Sequence, residues 1–165
     1  MRYRETPKKL EAPMQRLKYL LVLGLLIGAY SGAKAGPAEE IAQLMQQLDQ
    51  TFNEGNLDAY MAPYADNAVF APPNVPFWIE GKDALRAYYA GTMQAFPTHL
   101  VVARQPSIQI YDGRSAVVSR YNHAMFTDKN GHVTNFYLRQ SYTWVKLGER
   151  WVIIEQHYSA LPVLP

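Results

Sequence analysis

Residues 132–161 read HVTNFYLRQSYTWVKLGERWVIIEQHYSAL. Two runs rich in β-branched and aromatic residues, His132 to Lys146 and Arg150 to Leu161, flank Leu147-Gly148-Glu149. A joint this short makes the two strands antiparallel neighbours. Alternation in the second strand places Trp151, Ile153, Glu155, His157 and Ser159 on one face. Large apolar side chains then share a side with a carboxylate, an imidazole and a hydroxyl. Such a face is either half wet or the wall of a cavity.

Working outward, the same alternation fills His99 to Tyr111 and Arg114 to Thr127, with Asp112-Gly113 and Asp128-Lys129-Asn130-Gly131 as the joints. Upstream the period changes. Ile41, Leu44, Met45, Leu48 and Phe52 recur at helical spacing. Pro37 suits the first turn of that helix, and Glu39 and Glu40 suit the positive end of its dipole. Gly55 stops it, and Asn56 caps a short second helix bearing Leu57, Tyr60, Met61 and Tyr64. Ala68 to Ala71 reads as a short strand halted by Pro72 and Pro73, and Val75 to Ile79 as a second extended piece. Gly81 opens a third helix with Leu85, Tyr88, Tyr89, Thr92 and Phe96 on one stripe. Helices first and a long antiparallel meander afterwards specify an α+β fold: a cone-like curved antiparallel sheet covered by three N-terminal helices. A cone of this kind holds a pocket at its wide end.

The 165 residues suggest one domain. Their formal charge of +2 is misleading. Residues 1–35 hold seven basic and two acidic residues, leaving nine against twelve, a net charge of −3, for residues 36–165. The remainder is therefore not expected to bind nucleic acid. Arg16 and Lys18, an apolar run from about Leu20 to Ala29 and Ala33-Lys34-Ala35 make residues 1–35 an expected signal peptide, with Met14 an alternative start. The apolar run is about half the length that spans a bilayer, so no stable membrane span is expected after cleavage. The domain of residues 36–165 would then be exported, periplasmic or secreted. The chain has no cysteine, which removes disulfides, thiolate nucleophiles and thiolate metal sites. His99, His123, His132 and His157 lack metal-ligand spacing, and neither a phosphate loop nor a nucleophile elbow is present; no metal and no cofactor are expected.

Three groups of residues carry a resemblance. They are Asn53-Glu54-Gly55-Asn56-Leu57-Asp58 with Tyr64-Ala65-Asp66-Asn67-Ala68-Val69; Trp78-Ile79-Glu80-Gly81-Lys82-Asp83-Ala84-Leu85; and Arg139-Gln140-Ser141-Tyr142-Thr143-Trp144 with Gly148-Glu149-Arg150-Trp151-Val152-Ile153 and His157-Tyr158-Ser159. In this order they resemble the SnoaL-like branch of the NTF2-like superfamily, close to the group that includes the association domain of calcium/calmodulin-dependent kinase II. The resemblance spans nearly all of residues 38–162. It implies an NTF2-like, cystatin-like α+β barrel that commonly forms homodimers through its sheet. The superfamily holds enzymes and non-catalytic domains alike, so function rests on the site. The positions that match the steroid isomerase's catalytic groups fall at Phe70-Ala71-Pro72-Pro73, Leu48 and Gln140 or Ser141, and none is an acid or a tyrosine. Arg120 and Arg139 lack the flanking acids of the epoxide hydrolase. His123, His157, Tyr60 and Tyr64 imitate the histidines and tyrosines of the dehydratase.

The resemblance also implies that Arg139 and His157 point into the cavity. Arg139 would offer a planar fork to a carboxylate or enolate, and His157 a donor or proton shuttle. If Arg139 pairs with His157, Ser141 faces Glu155 and all four look inward; a slip of one residue separates them. Arg120 and Asn122 share a face of the adjacent strand. Tyr60, Tyr64, Trp78 and Tyr88 would cover the mouth with aromatic surface suited to a flat small molecule. The expected function is an exported small-molecule-binding domain with a polar-tipped hydrophobic pocket. The alternatives are a cofactor-independent acid–base enzyme of the isomerase, dehydratase or cyclase type, acting on a carbonyl or hydroxylated ring compound, and an oligomerisation module.

Overall fold

The computed structural model describes residues 35–161, which leaves nearly all of the expected signal segment outside the description. Helix α1 (Pro37–Asn53) begins on the proline, carries Glu39 and Glu40 in its first turn and buries Ile41, Met45, Leu48 and Phe52. Gly55, at φ 68°, takes the left-handed turn that ends it. Asn56 caps α2 (Leu57–Met61), its side chain accepting from the Ala59 amide at 3.1 Å. After β1 (Tyr64–Ala71) and β2 (Ile79–Glu80) comes α3 (Lys82–Ala95), which buries Leu85 and Tyr89. Four long strands complete the chain: β3 (Thr98–Tyr111), β4 (Ser115–Thr127), β5 (Val133–Leu147) and β6 (Arg150–Ala160). Among the described residues, no helix is long and apolar enough to cross a membrane.

The six strands form one sheet in the order β2-β1-β6-β5-β4-β3. All neighbours are antiparallel except β1 and β6, which run parallel. The expected α+β layout is therefore present, as a curved, unclosed sheet with helices contributed by the N-terminal part. Two short elements differ from expectation. Strand β1 starts at Tyr64, four residues before the expected Ala68, because Tyr64 already pairs with Ile153 of β6. Of the expected second extended piece, Val75 to Ile79, only Ile79 pairs, together with Glu80 beyond it. Pro76 has no N–H to offer a ladder.

The side chains of β6 do not alternate without interruption. Trp144 pairs with Ile153, but Thr143 pairs with Glu155, so Ile154 is an extra residue in a β-bulge. On the arginine side of the bulge, Trp151 and Ile153 lie in the core; beyond it, the inward side chains are Gln156 and Tyr158. Glu155, His157 and Ser159 turn to the outer face. The mixed face suggested by simple alternation is thus two half-faces joined by one inserted residue. A second irregularity lies in β3, where Gln105 and Pro106 stand between the pairs Arg104–Tyr121 and Ser107–Ser119. The β3 irregularity lies opposite Arg120, and the β6 bulge lies beside Thr143 and Trp144, whose β4 partners are Val117 and Ala116.

The core packs α1 and α3 against the inner sheet face through Ile41, Met45 and Leu85 on the helices and Phe70, Trp144 and Ile153 on the strands, all nearly or fully buried. His99 ties two helix ends together: its ring nitrogens lie 2.9 Å from the Phe96 carbonyl and 2.6 Å from the Phe52 carbonyl. At the other end, Glu40 of α1 accepts from Trp151 Nε1 at 2.8 Å and Lys146 Nζ at 3.0 Å.

Candidate functional site

A cavity of about 290 Å³ lies between the inner sheet face and the helices. Its walls are largely apolar and aromatic, with Phe52, Phe70, Phe96, Phe126, Phe136 and Leu138 among them. Alternation on β4 and β5 places Arg120, Asn122, Gln140 and Tyr142 at one polar end. Asp49 of α1 meets them there.

Arg120 is 6 % exposed. Its Nη1 and Nη2 donate to the two oxygens of Asp49 at 2.7 and 2.6 Å, and its Nε donates to Gln140 Oε1 at 2.9 Å. The guanidinium also lies over the Tyr142 ring, 5.3 Å from its centroid. Burial works against the charge of Arg120, but the Tyr142 oxygen and the Asp49 carboxylate outweigh it and hold the group more firmly protonated than usual.

From this pair a chain of polar groups runs through the interior. The Tyr142 and Tyr158 hydroxyls are 2.7 Å apart, and Gln156 Nε2 donates to Tyr158. Gln156 Oε1 accepts from Tyr64 at 2.9 Å and Tyr89 at 2.8 Å, and the Tyr60 hydroxyl lies 3.1 Å from that of Tyr64. Gln156 is fully buried, yet both ends of its amide are satisfied. Burial pushes the Tyr64, Tyr89 and Tyr158 hydroxyls well above the usual phenol range, and neighbouring hydroxyls push the same way. Burial raises Tyr142 too, against the opposing charge of Arg120. The network is therefore neutral apart from its internal ion pair.

Asn122 differs from its neighbours. It is 2 % exposed and lines the cavity, and neither Nδ2 nor Oδ1 has a hydrogen-bond partner.

The expected site residues divide between the two faces. Tyr60, Tyr88, Arg120 and Asn122 line the cavity, with the Tyr88 hydroxyl donating to Asn74 Oδ1 at 2.9 Å. Tyr64 sits behind the wall in the hydroxyl network. Trp78 does not cover the cavity: it is 53 % exposed, in the segment before β2. Arg139, Ser141, His157 and Glu155 do not look inward. Arg139 pairs with Ser159, and Ser141 with His157, two positions from the expected register. Arg139, Ser141 and His157 do come together, but in a groove of the outer face with Ser107, Ser119 and Tyr121. Glu155 accepts from Thr143 Oγ1 at 3.0 Å. The bulge at Ile154 sets the face of Glu155 and His157, and the alternation through inward-facing Gln140 and Tyr142 sets that of Arg139 and Ser141.

Asp49, Gln140, Gln156 and Tyr158 were not among the expected site residues. Asp49 had a readable signal. It follows Ile41 and Met45 at helical spacing, and a carboxylate within a buried stripe calls for a cation opposite it. Among the described residues, no group of three histidine or acidic side chains is placed to hold a metal ion.

Several solved structures share this architecture. A candidate calcium/calmodulin-dependent protein kinase II association domain from Xanthomonas campestris is 24% identical, with a TM-score of 0.69 over 82% of this chain and 98% of that one. An NTF2-like protein from Pseudomonas putida is 22% identical, with a TM-score of 0.67 over 78% and 95% of the two chains. The S. rosetta CaMKII hub is 18% identical, with a TM-score of 0.67 over 78% of this chain and all of the hub. At these identities the likeness is one of fold, and that fold is NTF2-like. Residues 37–162 match the family model of the calcium/calmodulin dependent protein kinase II association domain, and the chain belongs to that family.

Proposed function

We propose that this chain is an exported small-molecule-binding domain. The observation that carries the reading is the cavity itself: apolar aromatic walls ending in one fixed polar cluster, the arrangement that buries a ligand's body and orients its head. The titratable side chains lining it favour holding a molecule over transforming it. Asp49 is engaged by Arg120, and burial moves the Tyr88, Tyr89, Tyr142 and Tyr158 hydroxyls, already protonated at neutral pH, further from ionising. General acid–base catalysis needs a group that exchanges its proton near the working pH.

The test uses prodan, a neutral naphthalene dye whose emission shifts on leaving water. Saturable one-to-one binding is expected, and it should be lost in Ala124→Trp, where the indole fills the cavity. Binding that survives Ala124→Trp unchanged, or no binding by the wild type, overturns the reading. Export rests on Arg16, Lys18, the apolar run and Ala33-Lys34-Ala35; N-terminal sequencing of material recovered outside the cytoplasm should begin at Gly36. Two copies would meet through the outer sheet face, where Leu100, Tyr121, Val133 and Tyr137 stand exposed. Sedimentation should give a dimer that Tyr121→Glu with Tyr137→Glu converts to monomer. A wild-type monomer would remove this part of the reading.

A further inference from the structure

We propose that the ligand of this cavity is uncharged and presents a hydrogen-bond donor beside an acceptor, as a carboxamide or lactam edge does, to the side chain of Asn122. This rests on the reading of the cavity as a ligand site and goes on to the chemistry of its occupant.

Asn122 stands on the inner face of β4, paired with Ala103 on one side and Leu138 on the other. Its nearest inward neighbours along the strand are Arg120 and Ala124, and all but Ala103 line the cavity. Both polar atoms of its amide are unpaired and almost completely removed from solvent. A buried amide in that condition is a standing penalty on folding. The contrast with Gln140 and Gln156, whose amides are engaged by protein groups, marks Asn122 as the amide left for something else. A second amide edge gives both of its polar atoms a partner, since N–H and C=O on each side pair reciprocally.

Charge is excluded by the same lining. The guanidinium that would attract an anion already donates to both oxygens of Asp49 and to Gln140. An entering carboxylate would shed its water only to meet the Asp49 carboxylate, which also faces the cavity. An entering ammonium would find that carboxylate already neutralised by Arg120. The hydroxyls of Tyr142 and Tyr158 are engaged with each other. The aromatic walls are left to hold a flat apolar body, with Asn122 reading its one polar edge.

Three probes of nearly equal shape decide the matter by displacement of prodan at pH 8: 2-naphthamide, 2-acetylnaphthalene and 2-naphthoate. They carry donor plus acceptor, acceptor alone, and a negative charge. The amide should bind about tenfold more tightly than the ketone, the effect of one neutral hydrogen bond in a dry site, and more tightly still than the carboxylate. Asn122→Leu should bring the amide down to the level of the ketone. The same substitution should raise the melting temperature, because it removes an unsatisfied buried amide. Naphthoate binding as well as naphthamide overturns the uncharged ligand. Equal binding of amide and ketone overturns the role of Asn122, and so does a less stable Asn122→Leu that keeps the amide preference. Each of these leaves the cavity standing as a ligand site. Failure of prodan and all three probes overturns the ligand site itself and this inference with it.

Discussion

The inner and outer faces of the same sheet carry similar side chains and put them to opposite use. On the inner face, Arg120 is buried, bonded to Asp49 and Gln140, and lies over Tyr142. On the outer face one strand away, Arg139 is exposed beside Tyr121, Ser141 and His157. Asn122 is sealed without partners, while its chain neighbour His123 is stacked on Tyr137 at 4.7 Å and bonded to Asn135. Residue type therefore says little about role here. The face decides it, and in β6 the face is set by a single extra residue.

That dependence is broken most severely by deleting Ile154. Without the bulge, Glu155, His157 and Ser159 would rotate into the interior and Gln156 and Tyr158 out of it. A carboxylate and an imidazole would be forced among aromatic rings with no partners, and the inward hydroxyl network would be dismantled. The expected loss exceeds about 4 kcal/mol in urea unfolding, enough to leave much of the chain unfolded. A deletion that costs less than about 1 kcal/mol would mean that the face of β6 is set elsewhere.

The next effect tests the inner ion pair. Arg120→Ala strands Asp49 and leaves Gln140 Oε1 only the longer bond from the Tyr142 hydroxyl at 3.3 Å, and about 3–5 kcal/mol of stability should go with it. The double variant Arg120→Met with Asp49→Leu removes both charges and should recover most of that loss, since a buried pair is often no better than packed apolar groups. If the double variant is as unstable as the sum of its parts, the pair is not the coupled unit described here.

How far the chain could be read beforehand follows from the same contrast. The helices and the four long strands were legible because their patterns are long, a period of about 3.6 in Ile41, Met45, Leu48 and Phe52, and β-rich runs bounded by short turn signals in the meander. The bulge was not. Trp151-Val152-Ile153-Ile154 is apolar at every position, so inserting one residue there leaves the hydrophobic pattern unchanged while reversing everything after it. The expectation for His157 and Glu155 was lost at that point. Arg120 and Asn122 were recognised because β4 runs without interruption from Ala116 to Phe126. The glutamines and Tyr158 were missed because their chemistry appears only when several strands meet.

Alkaline pH probes the tyrosine network more gently. An exposed phenol ionises near pH 10. Burial raises the folded-state pKa of Tyr64, Tyr89, Tyr142 and Tyr158 above that value, so at high pH the folded chain holds protons that the unfolded chain releases. The stability they contribute is fully present below about pH 10 and is lost as pH rises from there through the folded-state values. Urea midpoints should therefore be flat on this account from pH 8 to about 9.5 and fall above 10. Phenolate absorbance from the buried set should emerge together with unfolding. Early ionisation in a still-folded chain would place these hydroxyls in contact with water.

The smallest effect is the most pointed, because it concerns a residue that the family resemblance places in the cavity. Arg139→Ala removes a cation from the outer groove, across the sheet from the cavity. Prodan affinity should change by less than about twofold, within the range of a surface substitution distant from the bound group. Ala124→Trp, by contrast, should abolish it. Any larger loss in Arg139→Ala would mean that the outer groove and the cavity communicate through Gln140, the one β5 side chain that borders both. Gln140→Leu separates the two cases. It severs that route while leaving Arg139 in place, so it should reproduce the loss if the faces are coupled through the sheet. If they are independent, it should disturb only the Arg120 side.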